Sequence, residues 1–126
     1  RLPSQTVHSR NLHEMTMTNK DKVLHYFKYF SNKDLDSLSE LFAEDVRLED
    51  WEIAEATKEK VLEANKKIFD SVDTIIVKPL YFYYDNEDSF AVEILIVVDD
   101  KEFLEVVDII RFNEDGLIDS VKAYKK

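Results

Sequence analysis

The sequence predicts an α+β domain in which N-terminal helices pack on one face of a curved antiparallel sheet. Apolar residues recur at helical spacing through the first half of the chain and alternate with a period of two through the second half. Polar turns of three or four residues separate the alternating runs, which is typical of antiparallel strands joined by hairpins. Because the helices precede the strands instead of alternating with them, the α+β class is favoured over a parallel α/β sheet.

The first predicted helix begins after Thr18, whose hydroxyl can cap the first turn, and Asp21 is placed to complete a capping box. Tyr26 lies beside the apolar stripe of this helix, which consists of Val23, Leu24, Phe27 and Phe30. A second, short helix follows the break at residues 31–33, and a third begins at Thr57. Their apolar stripes are Leu35, Leu38, Leu41 and Phe42 in the second helix, and Val61, Leu62, Ile68 and Phe69 in the third.

Five strands are predicted from the alternation, at residues 46–51, 74–84, 90–98, 103–112 and 117–124. The turns between the last four strands are short and polar, so these strands should form an antiparallel meander. The sequence contains no internal repeat or low-complexity segment. The length of 126 residues therefore favours a single domain.

The N-terminal segment differs in composition from the rest of the chain. Residues 1–17 hold two arginines and one acid, and thus a charge of +1, whereas the whole chain carries −10. We therefore predict an N-terminal arm or extension over residues 1–17 and one domain over residues 18–126. The arm is either an extension without a role in the fold or a docking segment, and its composition does not choose between the two.

Composition excludes several classes of function. Because the chain has no cysteine, it has no disulfide framework, thiol nucleophile or thiolate metal site. Its single glycine, Gly116, rules out a glycine-rich phosphate loop, and its three histidines suggest no metal site, so we predict neither a cofactor nor a metal. The charge of −10 argues against a nucleic-acid partner. The longest apolar run, residues 94–98, is too short to span a membrane, and a cytoplasmic chain is expected.

The predicted strand at residues 103–112 carries a carboxyl group on its apolar face. Side chains alternate between the two faces of a strand, so Asp108 shares a face with Leu104, Val106, Ile110 and Phe112. Arg111 lies on the opposite face. A carboxyl group buried without a partner has a raised pKa and stays protonated, so Asp108 is expected to be neutral at pH 7.

The predicted first strand repeats this pattern at Asp50, which shares a face with Val46 and Leu48 near the strand end, where a pocket would open. Two structural explanations stay open for each carboxyl group. A β-bulge would reverse the alternation, and a buried Asp can accept backbone hydrogen bonds. Because perturbed carboxyl groups in clefts are concentrated at functional sites, Asp50, Asp108 and Tyr26 are predicted to form a catalytic pocket.

Two segments resemble a known family. Residues 25–50, HYFKYFSNKDLDSLSELFAEDVRLED, resemble the opening of the ketosteroid isomerase and SnoaL-like branch of the nuclear transport factor 2-like superfamily. Residues 106–124, VVDIIRFNEDGLIDSVKAY, resemble its final hairpin, and the resemblance extends over about residues 18–124. It implies a cone-shaped, cystatin-like α+β fold with a deep pocket and frequent homodimerisation.

The resemblance also implies roles for three residues. In ketosteroid isomerases, an Asp base at the end of the first strand faces an oxyanion hole made of a helix Tyr and a protonated Asp. Asp50, Tyr26 and Asp108 match these positions. Asp50 would then remove a proton next to a carbonyl group, while Tyr26 and neutral Asp108 donate hydrogen bonds to the developing oxyanion.

The sequence departs from the isomerase pattern around that pocket. Trp51 follows the base where steroid isomerases have Pro, and Lys125 stands near the mouth. Phe42 and Asn65 replace tyrosines that support the oxyanion tyrosine. A steroid is therefore not expected as the ligand. The expected ligand is a small molecule that is apolar or contains a carbonyl group. The residues predicted to line the pocket are Phe42, Trp51, Asn65, Phe82, Val106 and Ile110.

The predicted function is a small-molecule isomerase or lyase. The alternative is a non-catalytic ligand-binding or dimerisation module of the same fold, with a hydrolase or dehydratase as a third possibility. Convergence of the three candidate catalytic residues on one enclosed void would favour an enzyme, whereas a filled interior would favour the module. The convex face of the predicted sheet carries Phe103, Val107 and Ile109 beside Glu105 and Arg111, which predicts a homodimer through this face.

Overall fold

Three helices and six strands account for most of residues 17–126, the part of the chain that the computed structural model describes. The predicted arm, residues 1–17, lies outside the described residues except for Met17. The helices are α1 (Asn19–Ser31), α2 (Leu35–Leu41) and α3 (Lys58–Ser71). The strands are β1 (Phe42–Glu49), β2 (Ala54–Ala56), β3 (Ile75–Asp85), β4 (Ser89–Val98), β5 (Glu102–Phe112) and β6 (Ile118–Lys125). The predicted α+β class is confirmed.

The strands form one curved, unclosed sheet in the order β2-β1-β6-β5-β4-β3. The strands β3 to β6 form the predicted antiparallel meander, and β2 is antiparallel to β1. The prediction of a wholly antiparallel sheet is wrong at one pair, because β1 runs parallel to β6. A helix and four strands separate these two strands in the chain, and a parallel pair requires such a long connection.

The caps of two helices follow the sequence prediction. The hydroxyl of Thr18 accepts a hydrogen bond from the backbone N–H of Asp21, and the Asp21 carboxylate accepts one from the backbone N–H of Thr18. Thr57 caps α3 through a bond from the backbone N–H of Lys60. Capping of this kind satisfies N–H groups that have no partner within the helix. Leu24, which was predicted to belong to the buried stripe of α1, is 40% exposed.

The start of β1 differs from the prediction. Phe42 was assigned to the apolar face of the second helix, but it is the first residue of β1 and pairs with Ile118 of β6. The register between these strands shifts before Arg47, and this irregularity accommodates the early start. No strand was predicted at β2 (Ala54–Ala56), because this segment contains none of the β-branched and aromatic residues typical of strands.

Alternation along β5 is regular, as predicted. Val106, Asp108, Ile110 and Phe112 are buried on the concave face of the sheet, whereas Phe103, Glu105 and Arg111 are exposed on the convex face. The core lies between this concave face and the three helices. Asp108 is therefore directed into the interior. None of the helices in residues 17–126 combines the length and the apolar character that crossing a membrane requires.

Candidate active site

A cavity of about 370 Å³ opens between the helices and the concave face of the sheet, and we call it the central cavity. Its walls are mainly apolar and include Phe27, Phe30, Leu48, Ile94, Val106 and Val121. Its polar lining residues include Tyr26, Asp50, Asn65 and Asp108. The three residues predicted to be catalytic thus border one void, and the interior of the sheet is not filled.

Tyr26 is placed by the buried face of α1. Its side chain is 6% exposed, and its ring packs against Phe27, Phe30 and Phe42 at centroid distances of 5.6, 6.0 and 6.0 Å. Burial, followed by the negative charges of Asp108 and Asp50, raises the pKa of Tyr26 far above its ordinary value. The hydroxyl therefore stays protonated and is available as a hydrogen-bond donor.

Asp108 is placed by the regular alternation of β5, where it stands between Val92 of β4 and Ala123 of β6. It is 6% exposed, and within residues 17–126 its carboxyl group has no hydrogen-bond or ion-pair partner. Burial, and secondarily the charge of Asp50, raises the pKa of Asp108 to about 7. A group with this pKa is about half protonated at pH 7 and becomes fully neutral at lower pH, which agrees in direction with the predicted neutral carboxyl group.

Asp50 follows β1 and is fixed by a tight turn. Its Oδ1 accepts hydrogen bonds from the backbone N–H groups of Glu52 and Ile53 at 2.7 and 2.6 Å. Its own N–H donates to the carbonyl oxygen of Ile53 at 2.8 Å. The explanation by backbone hydrogen bonds therefore applies to Asp50 and not to Asp108. Because both bonds use Oδ1, Oδ2 is the oxygen of Asp50 that can accept a proton from a ligand.

Asn65 lies on the buried face of α3 and is 2% exposed. It lines the central cavity, and its Nδ2 has no hydrogen-bond partner among the described residues. The sequence identified Asn65 as a replacement for a tyrosine and as a residue that lines the pocket. Its unpaired amide group could not be foreseen, because it depends on which side chains other elements bring to the same wall.

Trp51 and Lys125 stand at the mouth of the central cavity. Trp51 is 41% exposed, and the Nζ atom of Lys125 lies 5.2 Å from the centroid of its indole ring. Both residues border the cavity, as do the acidic side chains of Glu52 and Glu102. A cation over an aromatic face is a weak, reversible contact at an exposed position. A ligand that enters the cavity can therefore displace Lys125 from the ring of Trp51.

A family comparison agrees with this geometry. The model of the SnoaL-like domain matches residues 23–121, which include most of α1 and the chain as far as the middle of β6. The chain belongs to the SnoaL-like family. The matched range contains Tyr26, Asp50, Asn65 and Asp108. No curated protein matches the chain.

Solved structures show the same fold. A proposed polyketide cyclase from Sinorhizobium meliloti is 22% identical, with 82% of this chain and 93% of that chain covered and a TM-score of 0.73. A proposed ketosteroid isomerase from Kribbella flavida is 20% identical, with 80% and 72% covered and a TM-score of 0.70. A protein from Catenulispora acidiphila with a ketosteroid isomerase-like fold, in complex with trimethylamine, is 16% identical, with 81% and 82% covered and a TM-score of 0.72.

Identities this low establish fold and not chemistry, since one fold serves many activities. The SnoaL-like domain accordingly has the nuclear transport factor 2-like, cystatin-like architecture that the sequence resemblance implied. The roles of individual residues must be argued from this chain's own site.

Three residues of the SnoaL-like domain that were predicted to line the pocket do not border the central cavity. Phe42 is 1% exposed and packs behind the ring of Tyr26. Phe82, near the far end of β3, packs against Phe90 at 6.3 Å. Ile110 is fully buried one pleat beyond Asp108, where core side chains close the cavity. Trp51, Asn65 and Val106 do line it.

The charges around the central cavity are mainly negative. Asp50, Glu52, Glu102 and Asp108 line it, and Lys125 is the one cationic residue among its lining residues. Such a site disfavours an anionic ligand by repulsion in a partly desolvated space. Among residues 17–126 no group of three or more acids or histidines is arranged to hold a metal ion.

The raised pKa of Asp108 predicts a pH-dependent stability. Protonation of Asp108 favours the folded state, and this contribution is fully present below about pH 4 and is lost as the pH rises through about 7. The parent chain should therefore lose stability between pH 5 and pH 8, whereas Asp108→Asn has no carboxyl group to titrate at this position. The free energy of unfolding of the variant minus that of the parent chain should be roughly 3 kcal/mol larger at pH 8 than at pH 5. Denaturant unfolding at the two pH values measures this difference. An Asp108→Asn profile parallel to the parent's would contradict the buried, unpaired carboxyl group.

Proposed function

We propose that the chain is a small-molecule isomerase or lyase that forms an enolate in the central cavity. Asp50 acts as the base, and Tyr26 with protonated Asp108 stabilises the oxyanion. The observation that supports this proposal best is the carboxyl group of Asp108, which is buried, unpartnered among the described residues and adjacent to a void. A carboxyl group in this position can remain protonated near neutral pH and donate a hydrogen bond.

The proposed reaction begins with proton transfer. Oδ2 of Asp50 takes a proton from the carbon next to the ligand's carbonyl group, and the bonding electrons move through that carbon to the carbonyl oxygen. The hydroxyls of Tyr26 and Asp108 donate to this oxygen, where negative charge develops. Asp50 then returns the proton to a conjugated carbon, which gives an isomer. In a lyase, a leaving group departs instead from the carbon beyond the enolate.

The cavity favours a neutral, largely apolar ligand. Its walls are mainly hydrocarbon, and its charged residues are mainly acidic. Removal of water by such a ligand would strengthen the hydrogen bonds from Tyr26 and Asp108, because electrostatic interactions are larger at low dielectric constant. This chemistry requires neither a metal ion nor an organic cofactor.

Deuterium incorporation tests the proposal without knowledge of the natural substrate. Cyclic ketones and 3-cyclohexen-1-one in D₂O would be incubated with the protein, and exchange next to the carbonyl group would be followed by NMR. We expect at least one ketone to exchange faster than in buffer, and 3-cyclohexen-1-one to convert to its conjugated isomer. Exchange at the buffer rate throughout, together with ligand-induced changes in the fluorescence of Trp51, would support the non-catalytic binding module instead.

The convex face of the sheet supports a proposal about assembly. Ile76, Tyr81, Phe103 and Tyr124 come from three strands and are 42%, 60%, 62% and 57% exposed. Tyr81, Glu93, Val107 and Tyr124 form one cross-strand row on this face. No helix in residues 17–126 covers it. An apolar surface of this extent is typical of an interface, and we propose that a second copy of the chain binds it.

Light scattering after size-exclusion chromatography measures the assembly. At micromolar concentration the parent chain should have about twice the monomer mass of 14.9 kDa. Phe103→Glu should shift the mass toward the monomer, because it buries a charge in the interface. Leu24→Glu, at an exposed position of α1, is the control and should leave the mass unchanged. A monomeric parent chain would contradict the proposed homodimer. The cytoplasmic location of the chain is a separate prediction.

A further inference from the structure

We infer that Asn65 binds the ligand through its side-chain amide, and that the ligand carries a second, neutral oxygen function for this contact. This inference rests on the proposed function, because Tyr26 and Asp108 define where the first oxygen binds. The second oxygen belongs to a hydroxyl, ketone or ether group. The ligand class is therefore a small apolar molecule with two separated oxygen functions.

The position of Asn65 is unusual for its residue type. It interrupts a buried stripe of α3 that otherwise consists of Val61, Ala64 and Phe69. Asn is a weaker helix former than Ala or Leu, and a buried amide without a hydrogen bond is unfavourable. Within residues 17–126 nothing bonds to Nδ2 of Asn65, so no structural hydrogen bond explains the residue. Nδ2 itself is buried, but the Asn65 side chain borders the cavity. A rotation of the amide about its last torsion would turn Nδ2 toward a ligand there, and the ligand would supply the missing partner.

The neighbours of Asn65 connect it to the oxyanion residues. Phe69, one turn later on α3, packs against Phe30 of α1 at a centroid distance of 4.8 Å. Phe30 in turn packs against Tyr26 at 6.0 Å. The stripe of α3 that holds Asn65 therefore adjoins the stripe of α1 that holds Tyr26. Since the cavity volume of about 370 Å³ exceeds that of one carbonyl group many times, a ligand of one or two rings can reach both residues.

Charge restricts the second oxygen function to a neutral group. A carboxylate or phosphate would face the acidic residues Asp50, Glu52 and Glu102 with Lys125 as the one compensating cation among the cavity-lining residues. The amide of Asn65 can bind a hydroxyl, a ketone or an ether oxygen, because it offers both a hydrogen-bond donor and an acceptor. The chemistry of the wall thus selects uncharged oxygen functions.

Naphthols test the inference by calorimetry. In 2-naphthol one hydroxyl mimics the enolate oxygen at Tyr26 and Asp108, and dihydroxynaphthalene isomers add a second hydroxyl in different directions. We expect at least one isomer to bind the parent chain roughly five- to tenfold more tightly than 2-naphthol. Asn65→Leu should abolish this gain, leave the affinity for 2-naphthol within about twofold, and melt at or above the temperature of the parent chain.

The outcomes separate the inference from the proposed function. If Tyr26→Phe weakens 2-naphthol binding but no isomer shows a gain that Asn65→Leu removes, the inference about Asn65 is wrong and the oxyanion site stands. A gain in affinity that persists in Asn65→Leu would also show that the inference about Asn65 is wrong. A water molecule bound to the Asn65 amide would contradict the inference as well, because the amide would already have its partner. If 2-naphthol does not bind, or binds without dependence on Tyr26, the proposed function fails and the inference fails with it.

Discussion

Asp50→Asn should lower the rate of ketone exchange by about 10²–10⁴-fold, because an amide cannot accept the proton that the carboxylate removes. The substitution preserves shape, and its Oδ1 can still accept the bonds from the N–H groups of Glu52 and Ile53. The turn after β1 should therefore persist, and the affinity for 2-naphthol should change little. NMR measures the exchange rate, and calorimetry measures the affinity.

A neighbouring acid provides the matched control. Glu49 is the last residue of β1 and is exposed on the opposite face of the strand. Glu49→Gln removes one negative charge next to Asp50 in the chain without altering the cavity, and exchange should continue near the parent rate. Retention of full activity in Asp50→Asn would assign the base elsewhere and would remove the central step of the proposed reaction.

Loss of an oxyanion donor should have the second largest effect. Tyr26→Phe and Asp108→Ala should each lower turnover by roughly 10²–10³-fold, the size seen for a single oxyanion-hole donor in other enzymes. Asp108→Asn should cost much less, because its amide retains an N–H donor of similar volume. Equal losses for Asp50→Asn and Asp108→Asn would contradict the division into one base and one neutral donor.

The pH profile distinguishes a donor from a merely structural group. Since the pKa of Asp108 is about 7, the protonated donor is lost as the pH rises through that value, and turnover of the parent chain should fall above it. The amide of Asp108→Asn does not titrate, so this fall should be absent from its profile. Stopped-flow or NMR rates between pH 5 and pH 9 would compare the two chains.

Local sequence patterns predicted much of the fold. Alternation along β5 placed Asp108 on the buried face because a regular strand leaves no other choice. The caps at Thr18 and Thr57 were recognisable because capping depends on residues three apart in the chain. The resemblance to SnoaL-like domains provided the overall architecture, and the family match confirmed it.

Features that depend on distant parts of the chain were not predictable in this way. The parallel pairing of β1 with β6 follows from the path of the whole chain. Through this pairing Phe42 belongs to a strand, although its local sequence predicts a helix. The cavity wall was predicted only in part, because Phe82 and Ile110 face inward but lie where other side chains fill the space. Which buried polar group lacks a partner, as Asn65 does, depends on all the surrounding elements.

The parallel pair also determines when the cavity can exist during folding. Paired residues such as Leu48 and Val121 are 73 residues apart in the chain, so the two strands can pair only after a long loop has closed. Hairpins of β3 to β5 and the capped helices can form from local contacts beforehand. Asp50 and Asp108 are brought to one cavity only when β6 joins β1 to β5. The repulsion between the two acids therefore opposes the closing step of folding, and a nascent chain lacking β6 has no binding site.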